Sequence, residues 1–163
     1  MIETLWLVMQ DAFWSAIAAV GFSVLFNVPR RALWGCALAG AIGHALRTLL
    51  MQELGTPIEV ATFVGATTVG FIGVALARRL RAPSLIFSVS GSIPMVPGLF
   101  AYRAMLALLR LTTDRSLIEN PTLQTETLQA AAVDGIRVGL ILGAIALGII
   151  MPKLLFRREK PVV

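Results

Sequence analysis

Apolar residues run through this chain in five long stretches, at about 5 to 28, 32 to 51, 58 to 77, 84 to 111 and 131 to 153. A helix rises about 1.5 Å per residue, so a hydrocarbon core about 30 Å thick needs roughly 20 of them, and each stretch is long enough to cross a bilayer. The connectors are PRR at 29 to 31, QELGTPIE at 52 to 59, RRLRAP at 78 to 83 and the polar RLTTDRSLIENPTLQTET from 110 to 127. They leave no room for a soluble domain. The pattern predicts an all-α integral membrane protein in which residues 1–163 form a single transmembrane domain of five helices.

The fourth stretch is interrupted by SGSIPMVPGLFAYR, residues 90 to 103. Pro94 and Pro97 each remove a backbone donor and crowd the preceding turn, while Gly91 and Gly98 relax the chain. The helix is therefore expected to stop near Ile93 and to restart at Pro97, a residue suited to a first helical position. Such a break close to the midplane is tolerated only where protein or a water-filled cavity satisfies the freed groups. It serves as a bend, or it presents the unpaired N–H groups and positive dipole end of the second half-helix to a carboxylate.

Composition supports the membrane reading, with 57% hydrophobic and 14% charged residues and a mean hydropathy of +0.83. The net charge of +5 punctuates apolar runs instead of covering a face, which argues against a nucleic-acid partner. Its distribution predicts orientation. Arg30 and Arg31, then Arg78, Arg79 and Arg81, then Lys153, Arg157, Arg158 and Lys160 share one side of five alternating helices. Glu3, Glu53, Glu59, Asp114 and Glu119 share the other with Arg110 and Arg115. Basic loops stay in the cytoplasm, so the N-terminus is expected outside and the C-terminus inside. The start MIETLWLVMQDAFW lacks a basic n-region and a small-residue cleavage site, so the first apolar segment is expected to be retained.

Ionisable groups within spans are costly and make default site candidates. Asp11 lies two turns into the first span, His44 just past the middle of the second, and Arg47 three residues later on the same face. Arg103 follows the break, and Asp134 and Arg137 lie near the outer end of the fifth span. Together they suggest a hydrated cavity opening outward with a slight preference for anions. Competing readings are a local Asp134–Arg137 ion pair, an Arg47 that snorkels along its own helix, and a His44 that only packs. Ser92, Pro94, Pro97, Gly98, Tyr102, Arg103 and Arg47 are the candidate substrate-binding residues; His44, the one side chain that titrates near neutrality, and Asp11 are the candidates for proton coupling.

Small residues four apart, Gly35, Ala39 and Gly43 in the second span and Gly135, Gly139 and Gly143 in the fifth, predict helix contact faces, static or sliding. One His and one Cys exclude a metal cluster built from those residue types, and Cys36 sits in a small-residue apolar run as a packing residue. No phosphate loop or catalytic motif is present, so neither an enzyme nor a cofactor is expected.

FNVPRRALWGCALAGAIGHALR at 26 to 47, SIPMVPGLFAYRAM at 92 to 105 and a basic C-terminal tail resemble the small, YjjB-type subunit of the split threonine/serine exporter family, over nearly the whole chain. The resemblance implies a bacterial inner-membrane exporter subunit for a small carboxylate, either a succinate-like dicarboxylate or threonine and serine, working with a YjjP-type membrane partner. The alternatives are an amino-acid exporter acting as a homo-oligomer and a non-transporting scaffold subunit. A channel is disfavoured, because a confined polar cluster at a helix break resembles a binding site more than a pore lining.

Overall fold

The computed structural model describes residues 2–114 and 120–156; Arg115, Glu119, Arg157, Arg158 and Lys160 of the charge count lie outside the described residues. All regular structure among the described residues is helical: α1 (Ile2–Leu25), α2 (Leu33–Leu54), α3 (Ile58–Leu80), α4 (Ser84–Ser92), α5 (Gly98–Thr113) and α6 (Pro121–Leu155). Four of them, α1, α2, α3 and α6, are long and apolar enough to cross a membrane. A fifth span exists if α4 and α5 count as one.

Local chemistry sets the boundaries. Pro29, Pro57 and Pro83, each at φ near −55° with an extended ψ, stand immediately before the 3-10 turn Arg30–Ala32, before α3 and before α4. Gly55 ends α2 in the left-handed region at φ 58°, its N–H bonded to the Leu50 carbonyl. Arg81 takes the same conformation after α3 at φ 49°, which costs a side-chain-bearing residue about 1 kcal/mol.

The polar run expected as a loop from 110 to 127 is mostly helix. α5 continues to Thr113, and α6 starts at Pro121, where Asn120 Oδ1 accepts from the N–H groups of Thr122 at 3.2 Å and Leu123 at 3.4 Å. An Asn cap followed by Pro at the first position starts a helix whatever the polarity of the turns after it. Hydropathy marks only the part of α6 suited to lipid.

The chain falls into two compact units, Met1–Val96 with Ala144–Val163, and Pro97–Gly143. In the first, α2 is central and packs against α1, α3 and α4. Approach is close because the contacts are small: a Cβ at Gly40 would lie 2.7 Å from the Ala19 Cβ and 3.1 Å from the Ser15 carbonyl. The Gly35, Ala39, Gly43 face is used here, with Gly35 against Phe87, Ala39 fully buried and Gly43 against Val69. Among the described residues nothing packs on the second predicted stripe: no atom lies within 4 Å of a Cβ built at Gly135, Gly139 or Gly143. α6 meets α3 further on, where Gly148 faces the Ala66 side chain and the Phe63 carbonyl.

Val28, Ala32 and Cys36 join Leu76, Leu80, Phe87 and Ile86 in one apolar cluster, so the ends of α1 and α3 and the starts of α2 and α4 meet. Arg78 shares a groove with Pro152 and Phe156 of the α6 end. Arg30, Arg31, Arg78, Arg79, Arg81 and Lys153 therefore belong to one basic end of this unit. Large apolar side chains such as Trp6, Phe13, Trp14 and Ile17 are exposed along α1, as a lipid-facing surface requires.

Candidate functional site: a polar cluster at the helix break

Within the first unit, α1 contributes Asp11, and α2 contributes His44, Arg47 and Thr48, which the helical period stacks on one face. His44 Nδ1 lies 3.1 Å from Asp11 Oδ2. The Thr48 hydroxyl donates to the same oxygen. The His44 side chain is mostly buried, at 16% exposure, while that of Asp11 keeps 41%, so the carboxylate is the more open side of the pair. At 1.5 Å per residue His44 stands about 16 Å along α2 from the basic end, and Asp11 about 21 Å back along α1, close to the middle of a bilayer.

The break supplies the other wall. α4 gives way after Ser92 to one 3-10 turn, Ile93–Met95, closed by Val96 N–H on the Ile93 carbonyl at 3.0 Å. Val96 is extended, Pro97 occupies the cap position, and α5 begins at Gly98. The two helices are interrupted between 93 and 97, with Pro97 just outside the second helix instead of opening it. Arg47 Nη1 donates to the Met95 carbonyl at 3.3 Å, and the Pro94 backbone stands beside the His44 ring. Arg47 is thus held at the break, which answers the snorkelling alternative: the freed carbonyl gives the guanidinium a nearer partner than the interface.

The other candidates are placed differently. Ser92 is buried, and its hydroxyl donates to the Val89 carbonyl of its own helix at 2.9 Å. Gly98 has open space where a side chain would stand, and Tyr102 is 63% exposed. In the second unit Arg103 joins Arg110 of α5 and Glu126, Thr127 and Asp134 of α6 around a cavity of about 490 Å³. Among the described residues no ion pair joins these two arginines to the two carboxylates. The Arg137 guanidinium lies over the Phe100 ring, 5.1 Å from its centroid. Asp11, His44, Arg47 and Pro94 are therefore brought together in one unit, whereas Pro97, Gly98, Tyr102 and Arg103 belong to the other.

Thr48, Arg110 and Glu126 are polar participants that sequence reasoning passed over. The four-residue spacing from His44 to Thr48 was the available signal for the first.

Helices long and apolar enough to cross a membrane, with an Asp, a His and a Thr in contact and an Arg bonded to the helix break, are the marks of a membrane protein with a polar centre between its helices. Residues 11–155 match the family described as "Threonine/Serine exporter, ThrE". The chain belongs to this exporter family, as its motifs suggested. An uncharacterized protein of Haemophilus influenzae is 40% identical over 155 residues, covering 95% of this chain and 50% of the relative. The chain thus spans about half the length of the curated relative it matches. No solved structure matches it.

Proposed function

We propose that the chain is one half of a secondary exporter that moves a small carboxylate out of the cytoplasm across the bacterial inner membrane, with a YjjP-type subunit as the other half. The carrying observation is the cluster of Asp11, His44, Thr48 and Arg47 against the Met95 carbonyl. A titratable pair beside a cation at a broken helix joins the two parts a coupled transporter needs. Asp11 and His44 exchange the proton. Arg47 and the Pro94–Val96 backbone, which belong to the same unit, receive the carboxylate, with the guanidinium moving from the Met95 carbonyl to the charged ligand. The basic end faces the cytoplasm, giving N-out and C-in. A relative twice as long supports a missing half, and the open Gly135, Gly139, Gly143 face of α6 suits close approach by another helix.

The second unit holds a separate polar cavity, and the charges around it suit an amino acid better than a dicarboxylate. Two arginines and two carboxylates complement a zwitterion, whereas a dicarboxylate would meet repulsion from Glu126 and Asp134.

The test is export from cells with this chain alone, the partner alone and both. Activity only with both is expected, and full activity from the chain alone in liposomes would favour the homo-oligomer. Threonine or serine should compete with the transported substrate better than succinate. With His44→Gln, export should lose its dependence on the proton gradient; unchanged dependence would return His44 to a packing role.

A further inference from the structure

The basic end of the first unit carries a groove that transport leaves unused. It lies between the last turns of α3 and α6, has a volume of about 210 Å³, and is lined by Phe71, Val74, Ala75, Arg78, Pro152 and Phe156. Gly70 creates it by letting α6 come in backbone-first: a Cβ there would stand 2.9 Å from the Ile149 carbonyl and 3.0 Å from the Pro152 ring. Phe71 and Phe156 then meet edge to face, 6.0 Å between centroids, and form one wall. Five lining residues are apolar, and Arg78 alone is charged.

Arg78 is exposed and has no ion-pair partner among the described residues. Its neighbours add to the charge. Arg79 and Arg81 follow in sequence, Lys153 adjoins Pro152, and no acidic residue lies at this end among the described residues. An apolar slot at the edge of a spanning helix pair, with an unneutralised guanidinium at its rim, complements an acyl chain whose head carries a phosphate. The surrounding cations select a head with net negative charge, because a zwitterionic head would bring its own ammonium against Arg79 and Arg81.

We propose that this groove is a binding site for an anionic phospholipid, with one acyl chain between Phe71 and Phe156 and the phosphate at Arg78. The lipid covers the apolar slot, neutralises the rim and ties the end of α6 to α3.

The experiment uses the purified chain in mild detergent, with native mass spectrometry as the readout. Phosphatidylglycerol and phosphatidylcholine of identical chains are supplied in competition. The wild type should retain phosphatidylglycerol preferentially, and Arg78→Gln should lower that preference about fivefold, the weight of roughly 1 kcal/mol for one basic residue near the membrane surface. Ala75→Trp fills the slot but keeps the charge, and should reduce retention of both lipids while helical content by circular dichroism stays unchanged. Glycerol phosphate, a head without chains, should not displace the bound lipid. Equal retention of the two lipids, an undiminished preference in Arg78→Gln, or displacement by glycerol phosphate would each overturn the proposal, the last by reducing the site to one for small anions.

Discussion

Asp11 offers two oxygens, and Oδ2 receives both the His44 ring and the Thr48 hydroxyl. Thr48 thereby fixes the carboxylate on the face of α2, and among the described residues Oδ1 has no hydrogen-bond partner. Six other threonines, Thr62, Thr67, Thr68, Thr113, Thr125 and Thr127, turn their hydroxyls back to the carbonyl four residues earlier, the usual habit of Thr in a helix. Thr48→Val keeps the shape and removes the donor. A hydrogen bond to a charged group contributes roughly 1.5 kcal/mol or more, so proton-driven export should fall about tenfold. Thr48→Ser should restore it. Export that Thr48→Val leaves unchanged would make the contact structural. Arg47→Lys keeps the charge but gives up the planar fork, and substrate affinity should drop while membrane abundance holds.

At the scale of the helix, the interruption between α4 and α5 and the crossing at Gly40 are the two features most open to a direct test. Replacing Pro94 and Pro97 together by Ala should let the helix continue through residues 93 to 97, drawing the Met95 carbonyl into the ladder and taking it from Arg47. Substrate binding should weaken with normal abundance; unchanged binding would mean that the prolines only bend the chain. Gly40→Val drives methyls into Ala19 and the Ser15 carbonyl, and should destabilise the α1–α2 contact by about 1 to 3 kcal/mol in thermal unfolding. The prolines, glycines and apolar runs made the elements legible, because backbone restriction and hydropathy act locally. Asp11 and His44 were also legible one at a time by depth. Their meeting was not, since spacing within each helix carries no information on how two helices rotate against each other. The same limit explains why Gly148, which makes a close contact with α3, did not stand out.

For the molecule as a whole, the basic end gathers turns that lie far apart in sequence, and the proposed orientation rests on it. Reporter fusions at both termini should place the N-terminus outside and the C-terminus in the cytoplasm; both on one side would remove an odd number of crossings. The Asp11 contact also bears on the order of assembly in the bilayer. α1 leaves the ribosome before α2 exists, and a carboxylate near the middle of a lone spanning helix costs about 2.5 to 3.5 kcal/mol of insertion free energy. His44 and Thr48 arrive only with the next helix, so α1 is a poor inserter by itself and a good one as half of a hairpin. In a translocon assay that scores crossings by glycosylation, α1 alone should insert incompletely, Asp11→Leu should insert fully, and α1 joined to α2 should need no such change. Equal insertion of all three would show that Asp11 enters the membrane without waiting for its partners.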